Sequence, residues 1–413
     1  MNDTPWLDTE YLPSVQRLLS SIANCFDNGQ SAILLLPPAM CPSDVGAWLH
    51  SALANREVSA ERVDVAAWHA VPDSAQSLFN QALGIPVGRE RSLEDLFGEP
   101  SFPTVFIITG VGHVAESGRT AWLKLIADWA DETRRASQRQ PRCVICLIEQ
   151  ASALPSTPPP DVHLALRYWW GLPSSLELRT HCRNLEGGDT ALAAWRESMV
   201  AGVAPGDASL AAYLWTHCPK SLPELRDSLL EFAQQHTIVG SAEQPRDQHS
   251  QSRFACTRIA DRPTDAQHGV WASGGIVGSP EYGEEQHPCR LATCPDQQQI
   301  EHLLWRGQQQ VLLPLVDHVR IAGCHHVSAK RGNHWQKQYI TEDTNHEDRL
   351  RLEQGPFGAD FGPLCSELSS LPDGRGGSTV ALFRQVKAVR NQLAHYRALD
   401  YATFETFWGA VRA

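Results

Sequence analysis

Short apolar runs recur between Ser31 and Arg167 at intervals that leave room for one helix between neighbours. No other feature constrains the fold as strongly. Ser31-Ala-Ile-Leu-Leu-Leu36 lies between Asn28-Gly29 and Pro37-Pro38, which marks a strand apolar on both faces and closed by turn residues. Further runs fall at Arg62–Ala66, Thr104–Ile108, Cys143–Ile148 and His163–Arg167. Amphipathic stretches separate them. One has Ser43 or Asp44 as N-cap and an apolar stripe of Val45, Trp48, Leu49 and Leu53, and the clearest is Ala121–Ala130. Five apolar strands spaced by helices predict an α/β, doubly wound, mostly parallel sheet buried on both faces.

Beyond Ser174 the pattern turns helical as far as about His236. Between Val239 and Pro295 periodicity disappears, and Ser241–Ser252 is rich in Gln, Asp, Arg and Ser. Helical patterns return at Gln299–Ala322, Phe361–Ser370, Thr379–Tyr396 and Tyr401–Arg412, with a hydrophilic excursion over Ser328–Glu353. The expected organisation is an α/β domain over 1–172, a lid-like helical extension over 173–238, a linker over 239–295, and a separate all-α helical-bundle C-terminal domain over 296–413. Proteolysis in the linker is expected to release a stable fragment that begins near Asp296.

Charge narrows the function. The chain holds 35 Lys+Arg against 47 Asp+Glu, a net −12, which excludes a basic protein that coats nucleic acid non-specifically. Residues 296–413 are neutral, with 13 basic and 13 acidic side chains, so the first 295 carry the whole excess. The C-terminal part is the better candidate for meeting a polyanion. Eleven scattered cysteines in 413 residues form no disulfide framework. No secretory signal opens the sequence, and no apolar run reaches the roughly 18–20 residues that span a bilayer. These features predict a reduced, cytoplasmic protein with no membrane partner.

Metal ligands are not expected. Cys143 and Cys146 sit three apart in a strand, where they face opposite sides and read as buried structural thiols. His287, Cys289 and Cys294, and later Cys324, His325 and His326, match no zinc spacing. Trp169-Trp170, just after the last strand, fits either a docking surface or, more often, a packed domain seam.

The order of strand, loop, helix, then apolar strands near 104 and 143, resembles P-loop NTPases of the AAA or signal-transducing type. The residues that would do the chemistry are missing. A phosphate cradle needs GxxxxGK[ST], glycines for close backbone approach and a lysine for charge. The matching loop is Leu36-Pro-Pro-Ala-Met-Cys-Pro-Ser-Asp44, with no glycine and no lysine, and the five lysines of the chain begin at Lys124. The strand Val105–Ile108 runs into Thr109-Gly110, where a Mg²⁺-binding carboxylate is required. The resemblance therefore implies a degenerate P-loop-like domain that binds no nucleotide cofactor and hydrolyses no ATP.

The sharpest signal lies in the penultimate helix. At the helical advance of about 100° per residue, Leu382, Val386, Val389 and Leu393 make a narrow apolar stripe. Asn391 falls directly opposite Leu382, and His395 lies beside it on the same outward face. Arg384 and Lys387 flank Asn391 on that face, while Arg390 stands on the side of the helix between the two faces. His395 thus shares an outward face with Asn391 and two cations, which on geometry alone fits an ordinary solvated face. Arg390-Asn-Gln-Leu-Ala-His395 resembles the Arg-polar-x-x-x-His signature of the HEPN superfamily of helical ribonucleases. Tyr396, Leu399 and a short terminal helix with Phe404, Phe407 and Trp408 resemble its surroundings.

The resemblance spans residues 296–413 and implies specific roles. Arg390 and His395 would be the catalytic pair, and Asn391 the polar residue that orients them. The chemistry would be metal-independent RNA cleavage by the ribose 2′-OH, in a site formed where two copies face each other. Arg384, Lys387 and Arg397 are the cations placed to meet the RNA. Two functions follow. One is an endoribonuclease effector of toxin or anti-phage defence type, whose α/β module receives a signal or a partner protein. The other is a non-catalytic scaffold subunit that dimerises through the helical domain.

Overall fold

The computed structural model describes residues 10–37, 44–66, 80, 85, 89, 91–97, 103–135, 144–154, 156–186, 190–236, 238, 262–294, 297–372 and 377–412. By their contacts the residues fall into two units. The first comprises Met1–Leu178, Pro205–Tyr213 and Leu230–Thr293, and the second Arg179–Ala204, Leu214–Leu229 and Cys294–Ala413.

The first unit is built on five parallel strands: β1 (Ser31–Leu36), β2 (Ala60–Asp64), β3 (Val105–Thr109), β4 (Val144–Gln150) and β5 (Leu164–Tyr168). Their order is β2-β3-β4-β1-β5. Ile33 is registered with Leu147 of β4 on one side and Leu166 of β5 on the other. Helices α1 (Pro13–Asp27), α2 (Val45–Ala54), α3 (Leu93–Phe97) and α4 (Glu116–Arg135) alternate with the strands. The expected α/β fold with a parallel sheet is what forms. Every residue of β1 is buried, as a central strand covered on both faces requires. One face carries Ile33, Leu35, Phe106, Ile108, Ile145 and Leu147 against Trp122 and Trp129 of α4.

Gly110 ends β3 with φ 83°. A Cβ there would stand 2.5 Å from the Asp64 carboxylate and 2.7 Å from the Ala66 nitrogen, so backbone conformation and space both demand glycine. Loop residues 38–43, which the P-loop comparison needs, lie outside the described residues, as does Cys143. Cys146 is fully buried, and burial pushes its thiol up. Trp169 and Trp170 are buried too, and Trp170 belongs to the sheet's core cluster, meeting Trp271 edge-on at 6.4 Å. They pack the core of this unit and form no docking surface.

Part of the expected linker is structured. Residues 239–261 lie outside the described residues. Over 262–294 the chain instead forms helix α9 (Asp265–Ala272), a hairpin of β6 (Ile276–Ser279) with β7 (Gly283–Gln286), and α10 (Pro288–Ala292). Val270, Trp271 and Ile276 enter the core cluster of the α/β unit. A second anchor is His287, fully buried, whose Nε2 lies 3.0 Å from Asp207 Oδ2 while its Nδ1 accepts from the Cys289 backbone N–H. Short elements anchored by single buried side chains carry no periodic signature, which is why the stretch reads as aperiodic.

Helices α5 (Ser175–Glu186), α6 (Ala191–Val203), α7 (Ala208–His217) and α8 (Leu222–Gln235) occupy the expected helical stretch. Their grouping differs from a separate extension. Most of 179–229 belongs to the same unit as residues 294–413. The reason is α11 (Gln298–Arg331), which runs on past the expected end at Ala322 and crosses α6 at Gly202 and Gly307. Trp195 of α6 is buried against Tyr401 and Phe404, with ring centroids 5.5 and 5.3 Å away. A fragment starting near Asp296 would leave that packing behind.

The rest of the second unit is α12 (His346–Gln354), α13 (Phe361–Ser370), α14 (Ser378–Ala394) and α15 (Tyr401–Arg412). The hydrophilic excursion 328–353 proves ordered, with Trp335 and Leu352 buried. The C-terminal part is helical as expected, and no described helix is long and apolar enough to cross a membrane.

Candidate functional site

Helix α14 buries Val380, Phe383, Val386, Val389 and Leu393. The core stripe is therefore centred on Phe383 rather than Leu382, which is half-buried. A small residue makes the difference: Gly323 of α11 opens a recess that the Phe383 ring fills, since a Cβ on it would lie 2.4 Å from that ring.

The helix ends where the motif does. His395 is its C-cap, with its N–H donating to Asn391 and Gln392 carbonyls at 3.1 Å. Tyr396 follows in the left-handed region at φ 60° and is 66% exposed, a conformation costly for a residue with a Cβ. Side-chain hydrogen bonds hold the turn. Trp305 Nε1 donates to the Leu393 carbonyl at 2.6 Å. Gln308 is hydrogen-bonded to both the carbonyl and the N–H of Leu399, at 2.9 and 2.7 Å. Gln392 Nε2 reaches the Ala398 carbonyl at 2.9 Å. His395 thus stands on a braced turn with its side chain exposed.

Arg390 and Asn391 are brought together: Arg390 Nη1 donates to Asn391 Oδ1 at 3.1 Å. Arg390 Nη2 donates to Asp360 Oδ2 at 2.7 Å, in a pair with side chains 38% and 43% exposed. Such a surface pair is worth about 0–1 kcal/mol, so it holds the guanidinium without locking it. Asp360 is also the N-cap of α13, accepting from the Phe361 N–H at 2.8 Å. Among the described residues no hydrogen bond joins the His395 ring to Arg390 or Asn391. Within one chain the motif is a joined Arg–Asn pair plus a separately exposed histidine.

The three proposed RNA-facing cations are distributed differently. Arg384 and Arg397 are exposed and Lys387 is half-buried. Burial pushes the Cys365 thiol up, and Lys387 and Arg384 oppose that rise, which places both beside α13. Arg397 lies on the braced turn, its N–H bonded to the Gln392 carbonyl at 3.2 Å.

Sequence reasoning missed the surroundings of Arg390. A pocket of about 340 Å³ opens beside it. Leu313 and Val316 of α11 wall it, with Arg351 of α12, Phe357 and Asp360 around the rim. Asp360 had one readable signal, its place as the acidic residue before the helix Phe361–Ser370. Nothing in the spacing connects it, 30 positions away, to Arg390. Among the described residues no group of three or more His, Cys, Asp or Glu side chains is gathered for a metal. Compared with protein-family models and with curated proteins, the chain matches none.

Proposed function

We propose that the helical unit is a metal-independent endoribonuclease of HEPN type, acting as a dimer, with the degenerate P-loop-like α/β unit as its sensor or partner-binding module. The observation that carries this reading is the exposed His395 on a braced turn, one helical turn after a hydrogen-bonded Arg390–Asn391 pair. A core-packing role requires none of these three side chains to be accessible. In the proposed reaction His395 takes the proton from a ribose 2′-OH, whose oxygen bonds to the adjacent phosphorus as the bond to the 5′-oxygen breaks and that oxygen takes up a proton from water. Arg390 spreads two donors over the charged phosphorane. Because His395 and Arg390 do not meet within a chain, two facing copies would complete the site. DNA lacks the 2′-OH and would not be cut. A toxin or anti-phage setting, with other defence proteins as partners, fits an effector of this kind.

The second reading, a non-catalytic scaffold that dimerises through the same domain, is favoured by one observation: Asp360 already occupies Arg390. His395→Ala separates the two. General acid–base groups contribute about 10²–10⁴-fold in rate. His395 caps α14 through its backbone N–H, which alanine keeps, so losing its exposed side chain changes stability by about 0.5 kcal/mol or less. The nuclease reading expects cleavage to fall at least about 100-fold with melting temperature unchanged, to persist in excess EDTA, and to fail on 2′-O-methyl RNA. Equal cleavage by the variant removes His395 from the reaction and overturns the nuclease site as assigned, and no cleavage by the wild type leaves the scaffold.

A further inference from the structure

We infer that the pocket beside Arg390 binds one nucleotide of a single-stranded RNA, its base on Phe357 and its phosphate between Arg351 and Arg390. The inference rests on the ribonuclease reading and adds to it a subsite that the motif does not contain. At about 340 Å³ the pocket lies near the lower end of the range for small-molecule sites, about 300–1,000 Å³.

Its chemistry is divided as a nucleotide is divided. Phe357 is 46% exposed, and His325 backs it edge-on with ring centroids 4.9 Å apart. The segment carrying it is braced by Arg320, whose guanidinium donates to the Phe357 and Ala359 carbonyls and to Asp317 Oδ1. Arg320 is thereby committed to structure and holds the aromatic platform still. Leu313 and Val316 supply an apolar wall behind it. Bases stack on such a face without regard to sequence.

The two remaining arginines are each held by one surface carboxylate, a pairing weak enough for an anion to replace. Arg351 pairs with Asp348 three residues earlier on its own helix, both of them well exposed. Arg390 pairs with Asp360 at the surface. An RNA phosphate offers either guanidinium two oxygens in the same fork geometry. Arg390 belongs to the pocket and to the Arg-Asn-x-x-x-His motif together, so a nucleotide held here is continuous with the phosphate to be cleaved.

The test uses the full-length protein and a fluorescein-labelled, fully 2′-O-methylated RNA, with binding read by anisotropy at several salt concentrations. Loss of one stacked base predicts that Phe357→Ala weakens binding about 5- to 150-fold. Phe357→Trp keeps the aromatic face and is expected to bind as well as the wild type. Arg351→Ala is expected to weaken binding and flatten the log–log salt slope by about 0.7, the value for one phosphate contact on a single strand. Melting curves confirm that the variants fold. Undiminished binding by both Phe357→Ala and Arg351→Ala, or no binding by the wild type, overturns the subsite. Pocket-dependent binding without cleavage of unmodified RNA overturns the nuclease reading and leaves the subsite standing.

Discussion

The crossing of α6 and α11 predicts that Gly307→Ala destabilises the protein, although alanine is the better helix former. A Cβ on Gly307 would lie 1.8 Å from the Ser198 carbonyl oxygen and 2.8 Å from the Gly202 nitrogen. From the other side, a Cβ on Gly202 would lie 2.1 Å from the Leu303 carbonyl oxygen. These are backbone atoms, with no rotamer to turn away. Ordinary Cβ contacts begin near 3.4 Å, so the two helices must move apart as rigid bodies to admit the methyl group. That loosens the buried residues around the crossing, among them Trp195, Met199, Leu303 and Leu304. Overpacking costs about 1–3 kcal/mol, and the rigidity of both partners puts this site at the upper end. Replacing glycine in a helix returns about 0.8–1.0 kcal/mol. The net loss is about 2 kcal/mol, or about 4–8 °C in melting temperature for a unit of this size. Gly409 in α15 is the control, because a Cβ there meets nothing within 4 Å. Gly409→Ala keeps the propensity gain alone and is expected to raise the melting temperature by about 2–4 °C. Thermal melts of both variants by circular dichroism decide the matter. If Gly307→Ala melts at or above the wild type, the close crossing is wrong.

Two further outcomes follow from the first unit. His287→Ala strands the buried Asp207 carboxylate, whose other oxygen caps α7 through the Leu210 N–H at 2.9 Å. Leaving a buried acceptor without its hydrogen-bond partner costs about 1–3 kcal/mol, more for a charged one, so the urea midpoint should fall clearly, and a variant as stable as the wild type would show the hydrogen bond to be unimportant. Glu177 is pushed up by burial, but hydrogen bonds from Ser14 and Ser174 outweigh this and hold its carboxyl below the ordinary 4.5. A lowered folded pKa contributes stability that is complete above the ordinary value and fades as pH falls through the folded one. The stability gap between wild type and Glu177→Gln should therefore be widest near neutrality and close in acid, and a gap that ignores pH would exclude this carboxylate as its source.

Much of this architecture was legible in the chain itself because the signal is local. The inner strands β1, β3 and β4 are buried along almost their whole length, so the apolar runs at 31–36, 104–108 and 143–148 announced them without knowledge of their neighbours. The run at 163–167 marks the half-buried β5, whereas β2, expected at 62–66 and buried, lies at the edge over Ala60–Asp64 and exposes Glu61, Arg62 and Asp64. The helices Phe361–Ser370 and Tyr401–Arg412 likewise have the ends read from their periodicity. The outward placement of His395 followed from helical geometry alone. What the tertiary structure decided are the pairings between distant segments. Gly202 and Gly307 are ordinary glycines in sequence, yet together they let two helices touch and draw 179–204 into the C-terminal unit. Trp271 and His287 anchor a stretch with no periodicity, because a single buried ring or a buried hydrogen bond leaves no repeat to read. Asp360 meets Arg390, and Phe357 comes to rim the same pocket, only because α11, α13 and α14 pack side by side. Periodicity records which face of an element is buried, and the identity of what covers that face is a property of the folded chain.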